Sequence, residues 1–590
     1  MSKATRKETR GFAMVLGYLG LFMILIGIIT TIPLFMCFFY PGESECWMDF
    51  VIPAGINMVL GLLLYFCFLF KRKTTKFVRY EDSQLLFLIW ILAIVSGAAP
   101  MFIACARGEM DMDFSEAIFE ATSAYSTTGL NVFKDFLDTE GAFCPHVYTF
   151  HRSLMQFIGG VGLVLLLTTL LGGNGSTLLY QTEGHNDHIM TTMGKTAKVI
   201  FGIYTIYTIL GAFALWFSGM PAFDAACTSM CALSGGGLSP RSSNIAFYRD
   251  YEGMVQNFHW ENGVVGGNKV PEPYGGAIFP VNSLAIEIVM MVLVILSAVS
   301  FVLHVFALRG KWKDFFRDDE IRFCMLWTGS LLLFSLGGAF LTLGRDNLNR
   351  GQEYFANWPD TIRDIFFYVI GSWTNSGFSN TTLTRMISLG KPLLFASLML
   401  MLVGGGSGST AGGIKQYRVA ILLRDLRYST ETRFAPSIKM VPCSTYRYGK
   451  HSELDASTVK EAHNYFFLFI SMFAASVLIL CFCPSGEASS FADTSVNIET
   501  VSYNVASAAS NTGLGVTNFV NYRDFVRSIN EGWYYPLYLW VLSIDMFLGR
   551  LEIMPLIYSA QNIHLEFTHA KEVAKGKSEK RHAQYLENGL

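Results

Sequence analysis

Ten apolar runs of roughly 20 residues or more, at 11–38, 51–70, 84–105, 152–173, 196–218, 282–308, 322–343, 391–423, 463–483 and 533–560, limit what this chain can fold into. A bilayer core about 30 Å thick is crossed by about 20 residues of helix. Inside it every backbone N–H and C=O needs a partner, so a chain built of such runs is all-α. With 52% of 590 residues hydrophobic and 15% charged, the overall composition is that of a membrane protein. The first run follows Lys3, Arg6, Lys7 and Arg10, as a signal peptide would. It far exceeds the roughly 7–15 residues of a signal core, however, and is read as a retained span.

Ten spans place both termini on one side. The Lys/Arg-bearing segments, namely the N-terminus, 71–80 (KRKTTKFVRY), 308–322 (LRGKWKDFFRDDEIR), 424–451 and the tail after Gln561, all fall on that side. The positive-inside bias makes it cytoplasmic. The opposite loop at 41–50, PGESECWMDF, carries acids and no Lys or Arg. Because charge is sorted by side, the net charge of −2 says nothing about partners, and no nucleic-acid partner is expected. Eleven cysteines lie scattered without metal-ligand spacing. Cys227 and Cys231 read as small packing residues, and Cys46 and Cys144, both outside, either pair or stay reduced.

Between the long runs lie four short ones with similar endings: "STTGL" at 126–130, "CALSGGGLS" at 231–239, "SWTNSGFS" at 372–379 and "AASNTGLG" at 508–515. Aligned on Gly129, Gly237, Gly377 and Gly513, the position thirteen residues earlier is Glu116, Asp224, Asp364 and Thr500, with Glu499 just before the last. A full run flanks each copy on both sides. The chain therefore repeats one unit four times (span, half-helix, polar loop, span) after two leading spans.

A dozen apolar residues cannot cross a bilayer, so each half-helix must enter and return. The return leg is tolerated only where it is buried in protein or lines a watery cavity. An acid at the start of each half-helix suits the positive end of its dipole, which aims the negative ends at the centre. Glycine permits the backbone angles that turn consecutive carbonyls toward one line, and a ring of carbonyls replaces the hydration shell of a monovalent cation. One such turn alone is an ordinary helix C-cap; four phased copies read as the quarters of a selectivity filter. Its residues are Thr127, Thr128 and Gly129; Gly235, Gly236 and Gly237; Asn375, Ser376 and Gly377; and Asn511, Thr512 and Gly513.

These residues resemble the Trk/Ktr/HKT superfamily of potassium transporters, most closely the bacterial Trk-type membrane subunit. The resemblance covers nearly all of 11–560 and rests on "GAAP" (97–100), "FSEAIFEATSAYSTTGL", "RSLMQFIGGVGLVLL" (152–166), "GMPAFDAACTSMCALSGGGLS" (219–239), "GGGSGSTAGGIK" (404–415) and "GRLEIMPLI" (549–557). The second copy departs from the family pattern, with Ser234-Gly235-Gly236-Gly237 in place of a threonine-containing sequence, which implies looser ion discrimination there. What the resemblance implies is an all-α polytopic membrane protein, with two N-terminal spans plus four span–pore-helix–filter–span repeats around a pseudo-fourfold pore, passing K+ inward. It further implies a homodimer in lipid, in the inner cell membrane, gated by a cytosolic RCK-type (TrkA-like) nucleotide-binding regulatory subunit. The docking surfaces would be the loops at 71–80, 181–198, 309–322 and 424–462. The expected divisions are an N-terminal hairpin at 1–80, repeats at 81–173, 174–310, 311–451 and 452–561, and a cytoplasmic tail at 562–590.

Two elements stand where a gate would. The segment Gly404, Gly405, Gly406, Ser407, Gly408, Ser409, Thr410, Ala411, Gly412 and Gly413 interrupts the longest apolar run. Either it unwinds into a loop or its small residues let helices pack closely. The resemblance implies the former, an intramembrane loop beneath the filter, with Lys415 at its end helping to hold it closed. Arg550, beside Gly549 in the last run, marks a water-filled path or a paired site. The alternatives are snorkelling to the interface or a structural pair with Glu552 or Asp545. By resemblance it faces the pore as a barrier to cations.

His151, His185, His188 and His304 are isolated, and "GGNGS" at 172–176 lacks the Lys-Ser/Thr of a nucleotide loop. No catalytic constellation is visible, so transport is expected rather than an enzymatic reaction, with K+ as cargo and no organic cofactor on this chain. A Na+-coupled symporter, or a Na+-permeable member of the same superfamily, is the competing expectation.

Overall fold

Among the described residues, six helices are long and apolar enough to cross a bilayer: Phe12–Phe39, Pro41–Phe68, Glu81–Ala106, Lys198–Phe217, Asp319–Thr342 and Ala456–Leu480. They belong to a computed structural model that describes residues 8–9, 11–70, 73–74, 81–133, 146–162, 193–251, 264–265, 268–269, 279–350, 358–381, 383–434, 444–485, 496–553 and 557. Outside those residues lie the second half of the 152–173 run, most of the 71–80 and 181–198 loops, Cys144, His185, His188, the 172–176 glycines and the tail.

The leading pair of spans is joined by glycine. A Cβ on Gly20 would stand 2.8 Å from the Gly61 carbonyl, one on Gly61 2.6 Å from the Gly20 carbonyl, and one on Gly27 2.9 Å from the Ala54 carbonyl. Lipid tails are as apolar as leucine, so such spans associate through close backbone approach. The pair is fixed to the third span by the Asn57 amide oxygen and the Ser96 hydroxyl, 3.1 Å apart.

Ten full-length runs were expected, one of them, 391–423, interrupted by its glycines; three others also depart from a continuous helix. The 282–308 run is two helices, Ser283–Ala298 and Phe301–Leu308, bent by 111°. Competition for backbone groups breaks it. The Ala298 carbonyl accepts from Gly406 N–H at 2.8 Å, and Ser297 O accepts the Thr410 hydroxyl at 3.0 Å. Phe301 N–H, which a continuous helix would send to Ser297, reaches Gly408 O instead at 3.5 Å. The 391–423 run splits into Lys391–Leu402 and Gln416–Phe434 across its glycines. The last run is interrupted after Arg550, the end of a 17-residue helix from Tyr534, with Glu552 in the left-handed region at φ 51. Of the 152–173 run, the described part is the end of a helix, His146–Val161, closed by Gly162 at φ 92.

Four short helices stand between these elements: Phe114–Tyr125, Ala222–Leu233, Trp358–Trp373 and Ile498–Ala509. Caps define two of their starts. Asp113 and Glu116 form a capping box with Glu116 Oε2 accepting Asp113 N–H at 2.7 Å, and Asn497 with Thr500 forms another. The third helix has 16 residues against 12 in the others, so Asp364 falls in its second turn rather than its first.

Candidate functional site

The four short helices end in one shared geometry. Two residues before each aligned glycine, Thr127, Gly235, Asn375 and Asn511 occupy the left-handed region, at φ 58, 70, 53 and 54. The next residue closes the turn: Thr128, Gly236, Ser376 and Thr512 donate N–H to the carbonyls of Ser123, Cys231, Gly371 and Ser507 at 2.9, 3.0, 3.1 and 2.8 Å. This is a Schellman-type end, with the amide reaching back five residues. Glycines 129, 377 and 513 then take φ 94, 69 and 89. Gly237 does not share that conformation, so the second copy, which differs in sequence, differs in backbone too.

The glycines form a closed ring. A Cβ on Gly129 would lie 2.7 Å from Gly237 Cα, one on Gly237 3.0 Å from Gly377 Cα, one on Gly377 3.1 Å from Gly513 Cα, and one on Gly513 3.0 Å from Gly129 Cα. The loops therefore meet backbone to backbone around one axis, in chain order, and no side chain fits between them.

Side chains behind the ring hold it. Ser123 Oγ accepts Gly129 N–H at 3.1 Å and Ser507 Oγ accepts Gly513 N–H at 3.0 Å. Glu120 Oε2 accepts Val132 N–H at 3.1 Å, and Asn504 Oδ1, nine residues before its glycine like Glu120, accepts Val516 N–H at 3.0 Å. Gln156 Oε1 accepts Leu238 N–H at 3.3 Å. Neighbouring loops are stapled by the two asparagines. Asn375 Nδ2 donates to Thr512 Oγ1 at 2.9 Å and Ser510 O at 2.8 Å, and Asn511 Nδ2 to Thr128 Oγ1 at 3.0 Å and Met546 O at 2.8 Å. Sequence reading missed these supports, although Ser123 and Ser507 stand at the same offset from their glycines, as do Glu120 and Asn504.

The acids that opened the half-helices are buried in ion pairs rather than left to the helix dipole. Glu116 binds Arg523 at 3.1 Å and the Tyr535 hydroxyl at 2.8 Å. Asp224 binds Arg241 at 2.8 Å and the Tyr248 hydroxyl at 2.7 Å, and Asp364 binds Arg249 at 2.5 Å and Arg385 at 2.6 Å. Each arginine comes from a segment that follows a ring glycine, so the pairs clamp return legs to half-helices. Breaking one should leave a buried charge behind. Arg523→Ala is expected to cost about 3–5 kcal/mol, read as a lower thermal midpoint in detergent, with part regained in Arg523→Ala/Glu116→Gln. An unshifted midpoint would refute the clamp.

Against the ring lies the glycine-rich segment, which is not helical between Leu402 and Gln416, so close helix packing does not describe it. A Cβ on Gly235 would stand 2.9 Å from Thr410 Oγ1, and one on Gly412 2.7 Å from Asn511 Oδ1, so the segment touches the second and fourth copies. Arg550 donates to Thr410 O at 2.6 Å and Gly159 O at 2.5 Å. Of the alternative partners considered for it, Glu552 binds Arg418 at 2.5 Å, and Asp545 accepts the Ser476 hydroxyl at 2.7 Å. Lys415 donates to Ala411 O within the segment. Gly160, Gly408, Lys415, Gly549, Arg550 and Glu552 share one cavity. His151 and His304 each lie against a backbone carbonyl, Gly97 O at 3.0 Å and Leu296 O at 2.9 Å.

The chain matches the model of the TrkH family, described as a cation transport protein, over residues 52–255 and 275–566. The Trk system potassium uptake protein TrkH of Halomonas elongata is 26% identical over 552 residues, covering 92% of this chain and 97% of that one. Its counterpart in Escherichia coli K12 is 24% identical over 490 residues, covering 81% and 84%. An uncharacterized cation transporter of Methanocaldococcus jannaschii is 26% identical over 484 residues, with the same coverage. The crystal structure of the potassium transporter TrkH from Vibrio parahaemolyticus superposes with a TM-score of 0.68 at 22% identity, covering 92% of this chain and 98% of that one, which establishes a shared fold.

Proposed function

Since the chain belongs to the TrkH family of cation transport proteins, we propose that it takes up K+ through the ring of four loops, which acts as a selectivity filter. The observation that carries this reading is the closed, chain-ordered contact of Gly129, Gly237, Gly377 and Gly513. Several amides of the loops are tied to side chains behind them, and in this reading it is loop carbonyls turned to the axis that replace the water around a bare ion. The names of the relatives, potassium uptake proteins, favour K+ over the Na+-coupled alternative.

In this reading the short helices are pore helices of four repeats, with boundaries near 81–173, 174–310, 311–451 and 452–561. The Gly404–Gly413 loop crosses beneath the filter and blocks the cytoplasmic half of the path. Arg550 latches it by donating to Thr410 O and also sets a fixed positive charge in the way of cations. The whole is a homodimer in the inner membrane with both termini cytoplasmic, and an RCK-type partner biases the loop from below.

Rescue of a bacterium lacking K+ uptake, with and without that partner, tests the function, and failure with normal membrane expression would refute it. Arg550→Ala removes both latch and charge. A unit charge about 4 Å away at an effective dielectric near 20 is worth up to about 4 kcal/mol, so Rb+ flux into liposomes should rise at least about tenfold. Unaltered or lost flux with normal folding would show that the arginine only supports structure.

A further inference from the structure

Three consecutive acids, Asp318, Asp319 and Glu320, stand at the start of the Asp319–Arg350 helix, and Asp318 and Glu320 are buried. Besides the ion pair of Asp319 with Arg424 of the Gln416–Phe434 helix at 2.6 Å, their contacts reach two elements. One is the antiparallel hairpin of Ser444–Arg447 and Lys450–Glu453, whose second strand is exposed throughout. Asp318 accepts Tyr448 N–H at 3.0 Å, while Asp319 accepts the Thr445 hydroxyl at 3.1 Å and Tyr446 N–H. The other element is the glycine-rich loop, whose Ser407 N–H is accepted by Glu320 Oε1. Arg447 of the hairpin lies 4.0 Å from the second oxygen of Glu320.

Further contacts make the hairpin and the loop one unit. The Arg447 guanidinium sits 4.0 Å over the ring of Tyr417, on the helix that leaves the loop. The Tyr448 hydroxyl lies 3.3 Å from Ser300 Oγ, at the break between the 283–298 and 301–308 helices, whose carbonyls also hold the loop. A carboxylate on a backbone N–H is among the stronger hydrogen bonds, and in a buried site it fixes the donor closely.

We propose that Glu320 is a positioning residue for gating: it holds the loop in its blocking conformation through Ser407, and the 444–453 hairpin sets Glu320 through Asp318, Asp319 and Arg447. The hairpin is then the handle on which the cytosolic partner acts, and a partner shifts the loop only as far as it binds the displaced hairpin better than the docked one. This rests on the reading of the loop as a gate.

The test uses the full chain in liposomes without partner, with Rb+ flux and hydrogen exchange across 404–413 as readouts. Glu320→Ala should raise flux roughly tenfold and speed exchange in the loop. Glu320→Gln keeps an acceptor for Ser407 N–H and should return most of the block. Asp319→Asn loosens the hairpin and the 2.6 Å pair with Arg424 while leaving the Glu320–Ser407 contact in place, and should raise flux less while weakening the response to the partner. Wild-type flux and exchange in a well-folded Glu320→Ala protein, with deletion of 406–411 opening the path, would overturn the proposal and leave the gate standing. If that deletion also changes nothing, the gate reading itself falls. Should Glu320→Ala not fold, Arg447→Ala carries the test, and unchanged loop exchange in it overturns the relay.

Discussion

Gly129→Ser is expected to leave the protein folded and to lower the K+/Na+ flux ratio by at least about tenfold, equivalent to about 1.4 kcal/mol of discrimination. Gly129 sits at φ 94, where a non-glycine residue is strained by roughly 1–3 kcal/mol. Space adds to the conformational argument, because the new Cβ would stand 2.5 Å from Gly237 N and 2.7 Å from its Cα, which no rotamer change relieves. The two loops must part, and a wider ring no longer replaces the water around a bare K+, so both ions pass partly hydrated and the discrimination falls. Gly377→Ser, at φ 69 and equally crowded, should behave alike. Unchanged ratios in both variants, measured as Rb+ and Na+ flux in liposomes, would remove the filter assignment.

The second large effect concerns the loop. Deleting residues 406–411 should raise basal Rb+ flux by an order of magnitude or more and abolish dependence on the partner, since a partner acts only on a conformation that exists to be biased. The deletion removes Thr410, whose carbonyl receives Arg550 and whose hydroxyl binds Ser297 O, and Gly406, whose N–H binds Ala298 O. It also removes Ser407, the contact of Glu320. Four attachments are lost together, so the effect should exceed that of Arg550→Ala. A folded deletion protein with ordinary basal flux and full response would make the segment packing rather than gate.

What the sequence disclosed and what it hid divide along a physical line. The ring was legible because one geometry recurs four times. A left-handed residue two before each glycine is an Asn in two copies, and Asn adopts that conformation more readily than most residues. The unwinding of 404–413 was legible because six glycines in ten positions oppose helix. The break in the 282–308 run was hidden, because its cause is tertiary: the donors that take Ser297 O and Ala298 O belong to a segment some hundred residues later. The break after Arg550 was masked by the apolar residues around it, and hydropathy cannot distinguish an apolar turn from an apolar helix. Glu320 was invisible for the same reason as the break, since a carboxylate in a charged loop between spans reads as solvated until its partner is seen.

The asparagines show a finer limit. Asn375 and Asn511 were read as filter residues, and their backbones do stand in the ring turns, but their side chains run sideways to bind the next loop. Sequence offsets locate a backbone position, whereas the direction of the side chain depends on which neighbours converge there. That is also why the acids opening the half-helices read as dipole partners, when Arg523, Arg241, Arg249 and Arg385 were waiting on other segments.

The central claim is that four loops in one chain select K+ as it passes. It is tested most directly by Rb+ uptake into liposomes holding the purified chain, competed with K+ or with Na+ and repeated with Gly129→Ser. The account predicts uptake that K+ suppresses at concentrations where Na+ does not, with that difference erased in the variant. Uptake suppressed equally by both ions in the wild type, or a preference that survives Gly129→Ser, would contradict it.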